Sequence, residues 1–214
     1  MLNHIIESAK TQQKNILIMG SPRSGTHALG AEISTLSGCN NLGEICMTGY
    51  CNDPWNDIDK LVDTNKLTVA HVVQLTPKII LAEDVVRIKK SNIIVNIKRR
   101  DKVNQFASWM YFRVLDPTGL HGWHNHTANK TKLTPGQIEA QETDIAQFKL
   151  EQLIDDYFLP DFKLCYEDLA LNKQTKWRRN EFAFPLPEMF SNIEYVKKHL
   201  ESWQYAPGHF VNDQ

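Results

Sequence analysis

The sequence has almost no excess of charge: 24 Lys and Arg against 25 Asp and Glu leave a net charge of −1 over 214 residues. That balance removes any bulk electrostatic case for nucleic acid or an anionic membrane surface, so anions must be held by local basic sites. No uninterrupted apolar run approaches the roughly eighteen residues of a membrane span. The N-terminal MLNHIIESAKTQQKN has neither an apolar core of signal-peptide length nor a basic cluster ahead of one. The expectation is a soluble, cytoplasmic protein with no membrane or nucleic-acid partner. Cysteines number only four, at 39, 46, 51 and 165. Their spacing is not that of a zinc site, and free thiols are expected. His121, His124 and His126 have no carboxylate or cysteine at ligand spacing, so no metal site is expected. There are no internal repeats, and 214 residues are enough for one α/β domain but too few for two comfortable ones.

The most informative stretch is NILIMGSPRSGTHALGAEISTLSG, residues 15 to 38. Asn15 to Met19 is a short apolar run ending at Gly20, the loop 21 to 26 follows, and apolar residues then recur at helical spacing through Ala28, Leu29, Ile33 and Leu36. This reads as strand, tight turn and helix. A loop so placed aims backbone N–H groups and the positive end of a helix dipole at one point, which suits an oxyanion. Gly20 and Gly25 have the spacing of the phosphate-binding pattern GxxxxGK(S/T), but Thr26 and His27 stand where Lys and Ser/Thr belong. Without that lysine and that metal-holding hydroxyl, ordinary ATP or GTP chemistry is disfavoured. The cation lies inside the loop instead, at Arg23, whose planar fork can hold a tetrahedral oxyanion through two hydrogen bonds.

This loop, Pro22-Arg23-Ser24-Gly25-Thr26-His27, resembles the 5′-phosphosulfate loop of the sulfotransferase family, whose cofactor is 3′-phosphoadenosine 5′-phosphosulfate (PAPS). A second stretch carries the same resemblance. Asn92 to Lys98 is a β-branched apolar run followed by Arg99-Arg100-Asp101 and a helical pattern through Val103, Phe106, Ala107 and Met110. The family's 3′-phosphate motif is an arginine at such a strand end and a serine eight positions on, the spacing of Arg100 and Ser108. A third is Lys163 to Leu169, KLCYEDL, similar to the family's strand ending in YEDL. The resemblance implies that residues 22 to 27, Arg100, Ser108 and Tyr166 bind the cofactor, with Tyr166 near the adenine. The three motifs stand in the family's order between residues 15 and 170. The last forty or so residues match nothing in it.

The resemblance also bears on the base. Bacterial and carbohydrate-type members carry a Gly-Glu pair downstream of the loop whose glutamate takes the acceptor's proton, and Gly43-Glu44 is similar. Cytosolic members use a histidine in a Lys-Thr-His stretch. His71 lies at a similar place, but Val69 and Ala70 precede it, and it ranks second to Glu44.

Along the rest of the chain, residues 3 to 11 are expected to form a short helix. Cys39 to Asp53 reads as a polar loop, 55 to 64 as a short helix, and 66 to 73 as a strand. Thr76-Pro77 opens a helix to about Lys89, and Thr134-Pro135 opens the longest helix, to about Phe158. Asp161 to Tyr166 is a strand, and Glu167 and Asp168 are acidic residues suited to a helix start. Pro187 to Trp203 reads as a final amphipathic helix, and Lys176 to Arg179 is a basic cluster expected to face solvent. The fold class is α/β, one domain with a mostly parallel central sheet and helices on both faces, in the P-loop-like arrangement of sulfotransferases. The expected activity is metal-free transfer of the sulfuryl group of PAPS to an acceptor hydroxyl on a small molecule or carbohydrate, leaving 3′-phosphoadenosine 5′-phosphate (PAP). Two alternatives stay open at this stage: a P-loop small-molecule kinase with a degenerate loop, and a non-catalytic nucleotide-binding module. The sequence leaves the acceptor and the oligomeric state undefined.

Overall fold

A computed structural model describes residues 1–45, 67–72, 82–115, 134–153, 159–169 and 185–204. The described elements run in the order α1 (Leu2–Gln12), β1 (Asn15–Met19), α2 (Thr26–Ser37), β2 (Asn40–Ile45), β3 (Thr68–Val72), α3 (Ala82–Ser91), β4 (Asn92–Lys98), α4 (Lys102–Leu115), α5 (Glu142–Leu153), β5 (Phe162–Cys165) and α6 (Ile193–Gln204). The chain divides into two compact units, Met1–Arg99 with Leu150–Arg179, and Arg100–Lys149 with Asn180–Gln214.

The first unit holds a five-stranded sheet in the order β2-β3-β1-β4-β5. All four pairings are parallel. The class is therefore α/β, as the alternation of apolar runs with helical patterns implies. Parallel strands covered by helices read as continuous apolar stretches, and β1 and β4 follow that rule. Every residue of β1 is buried, and so is β4 as far as Ile97. Both span the residues expected of them. Ile5, Ile6 and Ala9 of α1 and Leu29 and Ile33 of α2 join Ile16, Ile18, Val69, Val95 and Leu164 in one apolar core. α3 passes into β4 without a loop, and the Asn92 amide donates to the Ile88 carbonyl at 2.9 Å across the junction.

In the second unit Phe106 centres an aromatic cluster, with ring centroids 5.2 Å from Phe148, 5.4 Å from Phe190 and 5.8 Å from Trp109. Asn192 holds the extended segment before α5, accepting from the Ala140 N–H at 3.0 Å and donating to its carbonyl at 2.8 Å.

Three expectations are corrected. The stretch from Asn40 to Ile45 is an edge strand and not a loop; its pairing with β3 shifts register between Asn41 and Glu44, next to Gly43 at φ +74°. Pleat alternation is lost at such an irregularity, which hides the strand in the sequence. No helix begins at Thr134-Pro135: Pro135-Gly136 makes a turn with Gly136 at φ +74°, Ile138 bridges to Phe190, and α5 starts only at Glu142. Leu186–Met189 is a separate 3₁₀ turn, so the last helix begins at Ile193, and Tyr166–Asp168 is likewise a single 3₁₀ turn. The expected helix at 55–64, Thr76-Pro77, the histidines at 121–126 and the basic cluster at 176–179 lie outside the described residues. Cys39 and Cys165 are free thiols.

Candidate anion site

In an open parallel sheet, ligands bind beyond the carboxyl ends of the strands at the point where the strand order reverses. Here that point is β1: the chain leaves it towards β3 and β2 on one side and later crosses to β4 and β5 on the other. The loop 20–25 leaves the carboxyl end of β1, Arg99 follows β4, and Tyr166 follows β5. Lys98 pairs with Cys165, so Arg99 and Tyr166 are the next residues of neighbouring strands.

The loop is built by close packing around its two glycines. Ser24 N–H donates to the Ser21 carbonyl at 3.1 Å, closing a turn. Arg23 sits in this turn with φ +66°, a left-handed conformation that costs a non-glycine residue roughly 1–2 kcal/mol. A Cβ at Gly20 would overlap Ser24 Oγ, so glycine there lets the Ser24 hydroxyl fold into the loop. A Cβ at Gly25, where φ is +107°, would overlap the Tyr166 ring. Ser21 Oγ donates to Gln152 Oε1 at 2.9 Å, tying the loop to the last turn of α5.

Gly25 is the N-cap of α2, and no side chain caps that helix. Its first-turn N–H groups therefore face the loop, with the positive end of the dipole behind them. Ser24 is fully buried, yet its Oγ has no hydrogen-bond partner among the described residues. A buried hydroxyl left without a partner costs about 1–3 kcal/mol. An oxyanion seated at the helix end supplies the missing acceptor, and the residues present fit such a group.

Positive charge is concentrated at the same place. Burial first, and then the charge of Arg99, lower the Arg23 pKa from the ordinary arginine value to about 10, while Glu44 and Tyr166 act oppositely. Arg99 lies with its guanidinium carbon 5.2 Å from the Tyr166 ring centroid. Its Nε forms a 3.7 Å ion pair with Glu167 Oε1, too long for a hydrogen bond, and has no hydrogen-bond partner among the described residues.

Beside the loop, His27 on the first turn of α2 meets Glu44 on β2, Nε2 to Oε2 at 3.1 Å. The Glu44 side chain is 10% exposed. With the proton on Nε2, His27 donates to one carboxylate oxygen and fixes the orientation of the other. Glu44 pairs in register with His71, which brings the two candidate bases onto adjacent strands.

Of the residues singled out from sequence, the structure gathers Pro22 to His27, Glu44 and Tyr166 around one loop of the first unit. Tyr166 packs on Gly25 and under Arg99. Arg100 and Ser108 belong to the second unit, Arg100 exposed ahead of α4 and Ser108 buried on it. Sequence reasoning missed Arg99. Its signal was position: it is the first residue after the buried strand β4, as Tyr166 is after β5. Among the described residues no group of His, Cys, Asp or Glu is placed to hold a metal ion, and no helix is long and apolar enough to cross a membrane. Neither a family model, nor a curated protein, nor a solved structure matches the chain.

Proposed function

We propose that the protein is a sulfotransferase that moves the sulfuryl group of PAPS to an acceptor hydroxyl without a metal. The observation that carries this reading is the loop between β1 and α2: a helix N-terminus, a buried Ser24 hydroxyl without a hydrogen-bond partner among the described residues and an in-loop arginine, with Thr26 at the position of the P-loop lysine. PAPS supplies an activated sulfuryl group on a phosphate leaving group.

In this reading the α2 N–H groups, Ser24 Oγ and Arg23 hold the 5′-phosphosulfate and take up the charge that develops on the bridging oxygen as the sulfur–oxygen bond breaks. The Glu44 oxygen not engaged by His27 accepts the acceptor's proton as its oxygen bonds to sulfur. PAP leaves with the electron pair. Arg100 and Ser108 are assigned to the 3′-phosphate by the family spacing. The P-loop-like identity of the fold belongs to the same proposal; its support is β1 lying between β3 and β4 with the loop at its carboxyl end.

Calorimetric titration with PAP in EDTA, beside ATP with Mg²⁺, tests the reading. Metal-free PAP binding that weakens in Arg23→Gln is the expected result. Binding of ATP with Mg²⁺ and none of PAP would overturn it in favour of a kinase.

A further inference from the structure

We propose that Arg99 is a second anion-binding residue of the loop site, held in place by the Tyr166 ring, and that the site takes a ligand with two adjacent anionic groups. This deepens the phosphosulfate reading, rests on it for the identity of the ligand, and gives Tyr166 a different task from the adenine contact that the family resemblance implies.

Four observations converge. The Tyr166 ring is fixed from below by Gly25, where no side chain other than hydrogen fits. Arg99 lies over that ring at 5.2 Å, a separation at which the aromatic face attracts a guanidinium. The ring thus sets the position of Arg99 in the site. Arg99 Nε is buried without a hydrogen-bond partner among the described residues, its ion pair with Glu167 being at 3.7 Å, longer than a hydrogen bond. Finally, the charges of Arg99 and Arg23 act on one another, and Glu44, the acid that favours the charged form of Arg23, is itself engaged by His27.

Two guanidiniums brought together repel unless anionic charge lies between them. One tetrahedral anion at the end of α2 uses the N–H groups, Ser24 and Arg23. A second group, attached to the first, is what Arg99 is placed to meet with its planar fork. A phosphosulfate or a diphosphate has that form. A lone phosphate does not.

The test is binding of PAP, 3′-AMP and inorganic pyrophosphate, all in EDTA, to the wild-type protein and to Arg99→Gln, Arg99→Lys, Tyr166→Leu and Tyr166→Phe. Circular dichroism establishes that each variant is folded. PAP and 3′-AMP differ only in the 5′-phosphate, and pyrophosphate presents two adjacent anionic groups with no nucleoside. Loss of one charge-assisted contact should weaken pyrophosphate by about 10- to 100-fold in Arg99→Gln and leave PAP, whose 5′-phosphate stands alone, and 3′-AMP near wild type. Arg99→Lys should restore part of the affinity, because charge remains without the fork. Tyr166→Leu should reproduce the Arg99→Gln loss and add little to it in the double variant, while Tyr166→Phe stays near wild type.

Unchanged pyrophosphate binding in Arg99→Gln overturns the proposal and leaves the sulfotransferase reading standing on wild-type PAP affinity. Equal weakening of PAP and 3′-AMP by Tyr166→Leu overturns the positioning role, since that pattern is adenine contact. Arg99-dependent pyrophosphate binding with no PAP binding supports the two-arginine site and defeats the sulfotransferase reading.

Discussion

At the scale of single residues, the loop site combines strain with function. Arg23 holds φ +66° and a guanidinium whose pKa is lowered to about 10 by burial and by Arg99. Arg23→Gly should relieve the left-handed strain and remove a disfavoured charge. Net of glycine's greater freedom in the unfolded chain, the expected gain is about 1 kcal/mol. That corresponds to a rise in ligand-free Tm of about 2–4 °C, with PAP binding lost. The sign of the pH dependence follows from the lowered value. Between about pH 10 and the ordinary arginine value the unfolded chain keeps a proton on Arg23 that the folded chain has released, so the unfavourable contribution is full below pH 10 and fades above it. The stability difference between wild type and Arg23→Gly should therefore be flat from pH 6 to about pH 9, as urea titrations at several pH values will measure. Glu44→Gln keeps the size of the side chain and removes the base. Its kcat should fall by about 10²- to 10⁴-fold with PAP affinity preserved, and undiminished turnover would assign the proton transfer elsewhere.

At the scale of elements, the site depends on how β1, β4 and β5 end. Gly25→Ala forces a side chain into φ +107° against the Tyr166 ring. Strain and overpacking together should cost about 2–4 kcal/mol, seen as a lower urea midpoint, and the variant should lose affinity for pyrophosphate as Tyr166 and Arg99 move. The same elements show what was legible in the sequence. β1 and β4 are buried on both faces, and a continuous apolar run bounded by glycine or arginine is an unambiguous record of that. β2 left no such record because Asn40-Asn41-Leu42-Gly43-Glu44 contains a register shift, and alternation is the only signal an edge strand has. The helix expected from Thr134 failed because a Thr-Pro pair reads as a cap only if the chain continues helically, and Gly136 turns it instead. Arg99 was passed over because the spacing to Ser108 selected its neighbour, whereas the end of β4 selects the residue nearest the sheet.

For the molecule as a whole, near-zero net charge means that ligand affinity must come from the local cluster. A ligand that binds only the folded form stabilises it by about 2.7 kcal/mol at a hundred times its Kd. For a chain of this length, PAP at that ratio should raise Tm by about 5–10 °C, and the rise should persist in EDTA. A shift that appears only with Mg²⁺ would count against an arginine-based site.

The left-handed arginine also bears on how such a sequence changes over generations. A residue that lowers stability in the free protein is retained only while selection acts on what it binds. Related chains that have lost the activity should therefore replace Arg23 early, with glycine or asparagine favoured, while Gly20 and Gly25 persist because packing alone demands them. The identity of position 23 thus distinguishes working copies from retired ones across a lineage.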